Sequence, residues 1–312
     1  MARDALVLTG PTATGKTRLG IELARRLAGE IISMDSRQVY RGMDIGTAKP
    51  TLEQRQSVPH HGLDLVDPDE RYSAGRFAAD ARGWLARVRA RGRVPLLVGG
   101  TGFFLRALTH PLFREPDLPA ERRELLERYL ARRPTEELRR WLRLLDPESA
   151  AALAGGGGRQ RLARALEVAL LSGRPLPWWH RQAPPAAEPL DPLIFVLDLP
   201  RPELYRRIDA RVLQMVEAGL VEEVERLVEE GYGAGDPGMN ATGYIELVPV
   251  LAGVRTLEQA IDDVQRATRR YARRQLTWFR HQLPPAAVWL DATWGTDELA
   301  DRVARAWQES AA

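Results

Sequence analysis

The stretch ALVLTGPTATGKTRLGIELARRLAGEII, residues 5–32, carries three patterns in a row. Residues 5–9 form an apolar run of strand length, residues 17–28 place Leu19, Leu23 and Leu27 on one helical face, and GEII resumes as a strand. Gly29 is expected to stop the helix before that strand. Between the first strand and the helix, GPTATGKT at residues 10–17 fits the P-loop pattern, with Gly10, Gly15, Lys16 and Thr17 in place. Strand, loop, helix, strand in this order predicts an α/β fold.

Working outward, Ser73 is a good N-cap for a helix with Phe77, Ala81, Trp84, Leu85 and Val88 on one face. The strand VPLLV (94–98), the loop GGTG and a helix from Phe103 follow, so the core reads as a P-loop-containing parallel sheet flanked by helices. From residue 115 the texture changes to Arg- and Glu-rich helical segments, and the next strand-like run is LIFVLDLP at 193–200. Residues 115–189 therefore read as a helical insertion domain within a discontinuous core domain of residues 1–114 and 190–312. The returning strand precedes a helix with Leu204, Ile208, Val212 and Val216 at spacing four. A turn-rich loop, a helical segment over 257–280, a strand AVWLD (287–291) and a last helix complete the chain.

Composition narrows the partners. No apolar run approaches the roughly 18 residues of a membrane span, and the N-terminus lacks a signal-peptide layout. The expected setting is the cytoplasm, and the expected state a monomer. Zero cysteines exclude disulfides and thiolate metal sites, and the five His show no zinc spacing. His60-His61 reads as a loop pair and Trp178-Trp179 as a hydrophobic tether in a Pro-rich loop. Of 45 basic residues 43 are Arg, and the only two Lys are Lys16 and Lys49. A planar fork and a point charge are not interchangeable, so a Lys in this background marks a site that Arg cannot serve.

Lys16 sits in the loop that would use it. Glycines let the backbone turn its N–H groups inward, the helix N-terminus adds positive potential, Lys16 reaches the outer phosphate, and Thr17 ligates a magnesium ion. NTP-hydrolysing P-loop proteins usually hold the metal with an acidic residue after a later strand. Here VPLLV ends in Gly-Gly-Thr, which makes Asp35, at the tip of the second strand, the leading acid near the cradle. A small-molecule kinase and a catalytically silent RNA-binding protein stay open at this point. Residues 266–280 carry Arg266, Arg269, Arg270, Arg273, Arg274 and Arg280 with no acid among them, interleaved with Tyr271, Trp278 and Phe279, a basic face of the kind that binds RNA.

GPTATGKT, DSRQVYRGMDIGTAKP (35–50), PHHGLDLVDPDERYSAGRF (59–77), LLVGGTGFF (96–104), RLARALEV (161–168), ATGYIEL (241–247) and RRQLTWFR (273–280) together resemble the bacterial tRNA dimethylallyltransferases, also called tRNA isopentenyltransferases. The resemblance covers nearly the whole chain in the same order. It implies transfer of a dimethylallyl group from its diphosphate to the exocyclic N6 amine of the adenosine 3′ of the anticodon, in tRNAs reading codons that begin with U, with release of pyrophosphate. The loop Gly10, Pro11, Thr12, Ala13, Thr14, Gly15, Lys16 and Thr17 would then hold dimethylallyl diphosphate with Mg2+ and not ATP, the backbone amides of residues 11–17 serving as donors.

The same resemblance implies that Asp35 is the general base, with Lys16, Thr101 and Arg211 completing the catalytic set. It assigns the tRNA anticodon stem-loop to Asp35, Ser36, Arg37, Gln38, Thr101, Arg123, Gln160, Arg161, Leu162, Ala163, Arg164, Gly243, Tyr244, Arg273, Arg274, Gln275, Trp278 and Arg280. A relative that prenylates free AMP or ATP would need no basic insertion, so the Arg-rich segments favour the macromolecular acceptor. The chain departs from the family pattern in two places: Gly158 stands where an Asp is common, and Phe103-Phe104 where Leu-Tyr is usual.

Overall fold

The computed structural model describes residues 3–110, 119–156, 158–182, 185 and 187–311. The chain divides into two compact units, one of Met1–His110 with Pro189–Ala312 and one of Pro111–Glu188. The first is built on six strands, β1 Leu6–Thr9, β2 Gly29–Ser33, β3 His60–His61, β4 Val94–Val98, β5 Leu193–Asp198 and β6 Val288–Asp291. They form one wholly parallel sheet in the order β3-β2-β4-β1-β5-β6. Nearly every position of the four inner strands is buried, as expected for a parallel sheet covered on both faces. Among the described residues no helix is long and apolar enough to cross a membrane.

Three local readings change. His60-His61 is the edge strand β3, in register with Ile31 and Ile32, and not a loop. Gly29 is the first residue of β2; the left-handed residue that ends the helix is Ala28, at φ 48°. A Cβ at position 29 would lie 2.3 Å from the Leu96 side chain and 2.7 Å from the Val94 carbonyl, so glycine there serves strand contact. Trp178 and Trp179 lie in a helix, Leu176–Gln182, with ring planes nearly perpendicular and the Trp179 indole N–H donating to Ser172 Oγ at 2.9 Å.

The strand order sets the path to the site. β2 does not neighbour β1: β4 lies between them. The tips of β1 and β2 can approach only across the end of β4, and that end is Gly99-Gly100. A Cβ at Gly99 would stand 2.1 Å from the Met34 carbonyl oxygen, and one at Gly100 would stand 2.3 Å from the Gln275 side chain. Side chains are excluded from the β4 tip by its neighbours, which gives a physical reason for the missing carboxylate after VPLLV.

A second core lies beneath the segment that follows Asp35. Val39, Tyr40, Met43 and Val66 pack on Leu220, Val224, Leu227, Met239, Tyr244 and Leu247. Glu223, buried there, accepts from the backbone N–H groups of Asp44 and Ile45 at 2.9 Å and of Gly46 at 3.1 Å, and from the Tyr244 hydroxyl at 2.5 Å. Bonds to a charged acceptor are worth about 1.5–3 kcal/mol each, so Glu223 is a principal anchor of that loop. Lys49 closes the other side, its buried ammonium donating to Tyr40 O, Asp44 and Asp64. Three acceptors converging on one point suit an ammonium and would not fit a guanidinium fork. The second lysine therefore builds the loop, while the first belongs to the cradle.

In the second unit, Leu130, Leu138, Leu142, Leu162, Ala165 and Leu166 form a core among the helices Ala120–Ala131, Thr135–Leu145 and Arg159–Ser172. Asp146 caps two chain segments, accepting from Ser149 N–H at 2.9 Å and Leu176 N–H at 3.2 Å. Glu167 is buried and receives Arg123 at 2.9 Å together with Arg164. Burial pushes its carboxyl pKa up while the two Arg pull it down.

Candidate active site

A cleft of about 570 Å³ opens at the carboxyl end of the sheet, lined by Thr12, Ala13, Gly15, Lys16 and Thr17 of the P-loop, by Asp35 and Gln38 after β2, by Gly99 and Gly100 after β4, and by Arg211, Tyr271 and Gln275. Ligands of open α/β sheets bind at this end. The P-loop is held in shape by Thr14 Oγ1, which donates to Pro11 O at 2.9 Å, and Lys16 Nζ donates to the same carbonyl at 2.6 Å. Burial and the neighbouring Arg211 pull the Lys16 ammonium down to about 7, against the opposing pull of Asp35. Burial likewise lowers Arg211, with Asp35 acting in the opposite sense. Two crowded cations facing one carboxylate form a pocket that favours an incoming polyanion.

The cradle is shorter than residues 11–17. Pro11 has no N–H, and the N–H of Thr12 donates to Gln275 Oε1 at 2.9 Å. Only the amides of residues 13–17 remain to point at phosphate.

Asp35 is shaped by its own loop. Its Oδ1 accepts from the N–H of Arg37 at 2.9 Å, a local turn that fixes the carboxylate, and its second oxygen makes no hydrogen bond among the described residues. Thr101 Oγ1 accepts from Ser36 N–H at 3.0 Å and donates to Ser36 Oγ at 3.3 Å, tying the tips of β2 and β4. Tyr271 meets Thr101 from the helix Leu257–Gln282; burial, then Asp35, raises its phenol pKa and keeps it neutral. The sequence pattern marked Tyr271 only as an aromatic among arginines. Its place in the cleft depends on a helix more than 150 residues away from Thr101 in the chain.

Several residues assigned to tRNA have other partners. Arg37 donates to Pro237 O at 2.9 Å, and the Gln38 amide donates to the carbonyls of Thr47 at 3.3 Å and Ala48 at 3.2 Å. Tyr244 is fully buried against Gly46, and Gly243 supplies the left-handed N-cap of its helix, at φ 102°. Gln275 is buried, and Leu162 lies in the core of the second unit. Ala163 and Arg164 are half-buried, whereas Gln160 and Arg161 are exposed.

The Arg-rich helix is also less uniform than its sequence. Acids from outside the 266–280 run reach three of its six Arg: Asp263 pairs with Arg266, Asp209 with Arg269, and Asp198 with Arg280 at 3.5 Å. Arg270, Arg273 and Arg274 are exposed, make no ion pair among the described residues, and line an open groove of about 650 Å³ with Trp278 and His281. Trp278 packs flat on Gly102, where a Cβ would come within 2.3 Å of its ring.

The helix Leu257–Gln282 thus serves the cleft through Tyr271 and Gln275 and the basic groove through Arg270, Arg273 and Arg274. Residues 38–282 match the IPP transferase family. This chain belongs to the IPP transferase family. The tRNA dimethylallyltransferase of Thermomicrobium roseum is 44% identical over 98% of this chain and 92% of its own length, and that of Halorhodospira halophila is 46% identical over 90% and 91%. Those alignments show this family member to be related along nearly its whole length. Among solved structures, the tRNA isopentenylpyrophosphate transferase of Bacillus halodurans covers 99% of this chain and 98% of its own, with 38% identity and a TM-score of 0.70. A eukaryotic dimethylallyltransferase solved acting on tRNA covers 93% of this chain and 74% of its own, with 28% identity and a TM-score of 0.79.

Proposed function

We propose that this enzyme transfers the dimethylallyl group of dimethylallyl diphosphate to the N6 amine of the adenosine 3′ of the anticodon, in tRNAs reading codons that begin with U. The C1–O bond to diphosphate breaks, the N6–C1 bond forms, one amine proton passes to Asp35, and pyrophosphate leaves. The observation that supports this most is the single carboxylate, with one oxygen free, facing Lys16 and Arg211 across a P-loop cleft. Fixed donors aimed at the departing diphosphate are usually the largest catalytic term, and the amides of residues 13–17 with Lys16 and Arg211 fill that role.

A magnesium ion suits the donor set. Among the described residues no three His, Cys, Asp or Glu side chains gather to cage a metal. Thr17 in the cleft offers one hydroxyl, and Mg2+ commonly takes one or two protein ligands with the rest from phosphate and water. Bound there it would neutralise charge on the diphosphate. A target adenosine must leave its stack to reach the cleft, at about a few kcal/mol, and Ser36 with Thr101 provides hydroxyls for its polar edge. Gln160 and Arg161 are the exposed candidates for tRNA on the second unit, and the catalytic unit is taken to be a monomer.

Mass spectrometry of nuclease-digested tRNA after reaction should place one added C5H8 on the adenosine 3′ of the anticodon. A modified base elsewhere, or none, would contradict the assignment. Arg273→Ala with Arg274→Ala is expected to raise the KM for tRNA and flatten its salt dependence while leaving the KM for dimethylallyl diphosphate unchanged, because lost phosphate contacts release fewer counterions. Equal rises in both constants would make the two Arg structural.

A further inference from the structure

We infer that Gln275, to which the family resemblance gives a tRNA contact, is a positioning residue that fixes the phosphate cradle against the β4 tip. Its side chain is buried. Oε1 accepts from Thr12 N–H at 2.9 Å, and Nε2 donates to Gly100 O at 2.9 Å. The two anchored groups belong to the loops after β1 and β4, which no other side chain in the cleft joins in this way among the described residues.

The contact is close as well as polar. Gly100 has room for no side chain, since a Cβ there would meet the Gln275 amide at 2.3 Å. One loop offers a donor and the other an acceptor, and the carboxamide answers both at once, its oxygen to Thr12 and its nitrogen to Gly100. Holding the Thr12 N–H in the protein sets where the amides of residues 13–17 begin, while holding Gly100 sets the position of Thr101 next to it. Gln275 therefore carries the link between the β1 and β4 tips, which begins with Thr9 Oγ1 donating to Gly99 O at 2.8 Å and Gly99 N–H donating to Leu8 O at 3.1 Å, out to the loops that would hold diphosphate and target base. Misplacement of reacting groups by about 1 Å can cost on the order of 10²-fold in rate.

The location on the helix Leu257–Gln282 explains why sequence position misleads. Arg273 and Arg274 face out at one point of the turn, and Gln275, the next residue, faces in. Adjacent residues on a helix point about 100° apart, so a motif that lies along the basic face also carries a residue aimed at the core.

This inference rests on the proposed reading of the cleft as a diphosphate site. The test uses the full chain and two variants, Gln275→Glu, which keeps the acceptor and loses the donor, and Gln275→Met, which keeps the bulk and loses both. Binding of inorganic pyrophosphate with Mg2+ is measured by calorimetry, tRNA binding by fluorescence anisotropy, and kcat by single-turnover transfer. The expected result is pyrophosphate affinity reduced about tenfold and kcat reduced on the order of 10²-fold in the folded variants, with the tRNA Kd and its salt slope within twofold of the parent. Weakened tRNA binding with parental pyrophosphate affinity and kcat in either variant would overturn the inference alone. Absence of pyrophosphate binding by the parent enzyme would overturn the diphosphate reading itself, and the inference with it.

Discussion

Asp35→Asn is expected to lower kcat by a factor on the order of 10²–10⁴ with tRNA affinity nearly intact. Asparagine keeps the turn, because its Oδ1 can still accept from the N–H of Arg37 as the carboxylate does at 2.9 Å. What disappears is the second oxygen as a proton acceptor. Asp35→Ala should be at least as slow and should also weaken capture of the flipped adenine, since the partner for its amine is gone. If Asp35 acted as a metal ligand, raising the magnesium concentration would restore much of the Asn variant's rate. Single-turnover rates of both variants across a magnesium titration separate the two roles, and a magnesium-restored, near-parental rate would remove the general base from the mechanism.

The next largest effect belongs to Lys16→Met. Lys16 already points within the P-loop, with its ammonium 2.6 Å from Pro11 O, and its charge is held down by burial and Arg211. An arriving diphosphate supplies the counter-charge that Asp35 alone provides only in part. Loss of one such donor typically costs on the order of 10²–10³-fold, so kcat/KM for dimethylallyl diphosphate should fall by that factor. Methionine keeps much of the stem's packing, and Thr14 still braces the loop through Pro11 O at 2.9 Å. Thermal stability should therefore change little. A fall in melting temperature that accounts for the whole loss would instead make Lys16 structural.

How much of this could be read from the chain depends on the range of each interaction. GPTATGKT announces itself because its strand, glycines and helix are contiguous, and Ser73 was recognisable as an N-cap because its partner, Arg76 N–H, lies three residues on. The parallel sheet followed from alternation of strands and helices. Strand order did not: nothing local in VPLLVGG says that it inserts between β1 and β2, although the two glycines mark the close approach once the order is known. The acids that neutralise Arg266, Arg269 and Arg280 were hidden for different reasons: Asp263 stands just upstream of the run, while Asp209 and Asp198 come from other elements. Tyr244 and Gln275 sit in motifs that resemble tRNA contacts, yet they face inward, because a motif records position along the chain and not the side of the helix. Glu223, which anchors the 44–46 loop, carried no signal beyond being one acid among many on an amphipathic helix.

The measurement closest to the central claim gives purified enzyme, with Mg2+ and unmodified tRNA, either dimethylallyl diphosphate labelled in the prenyl group or ATP labelled at the γ-phosphate. The expected result is label in tRNA and free pyrophosphate from the first, and neither phosphate release nor phosphoryl transfer from the second. Rapid turnover of ATP with no prenyl label in tRNA would contradict it and would return the P-loop, Lys16 and Asp35 to a kinase.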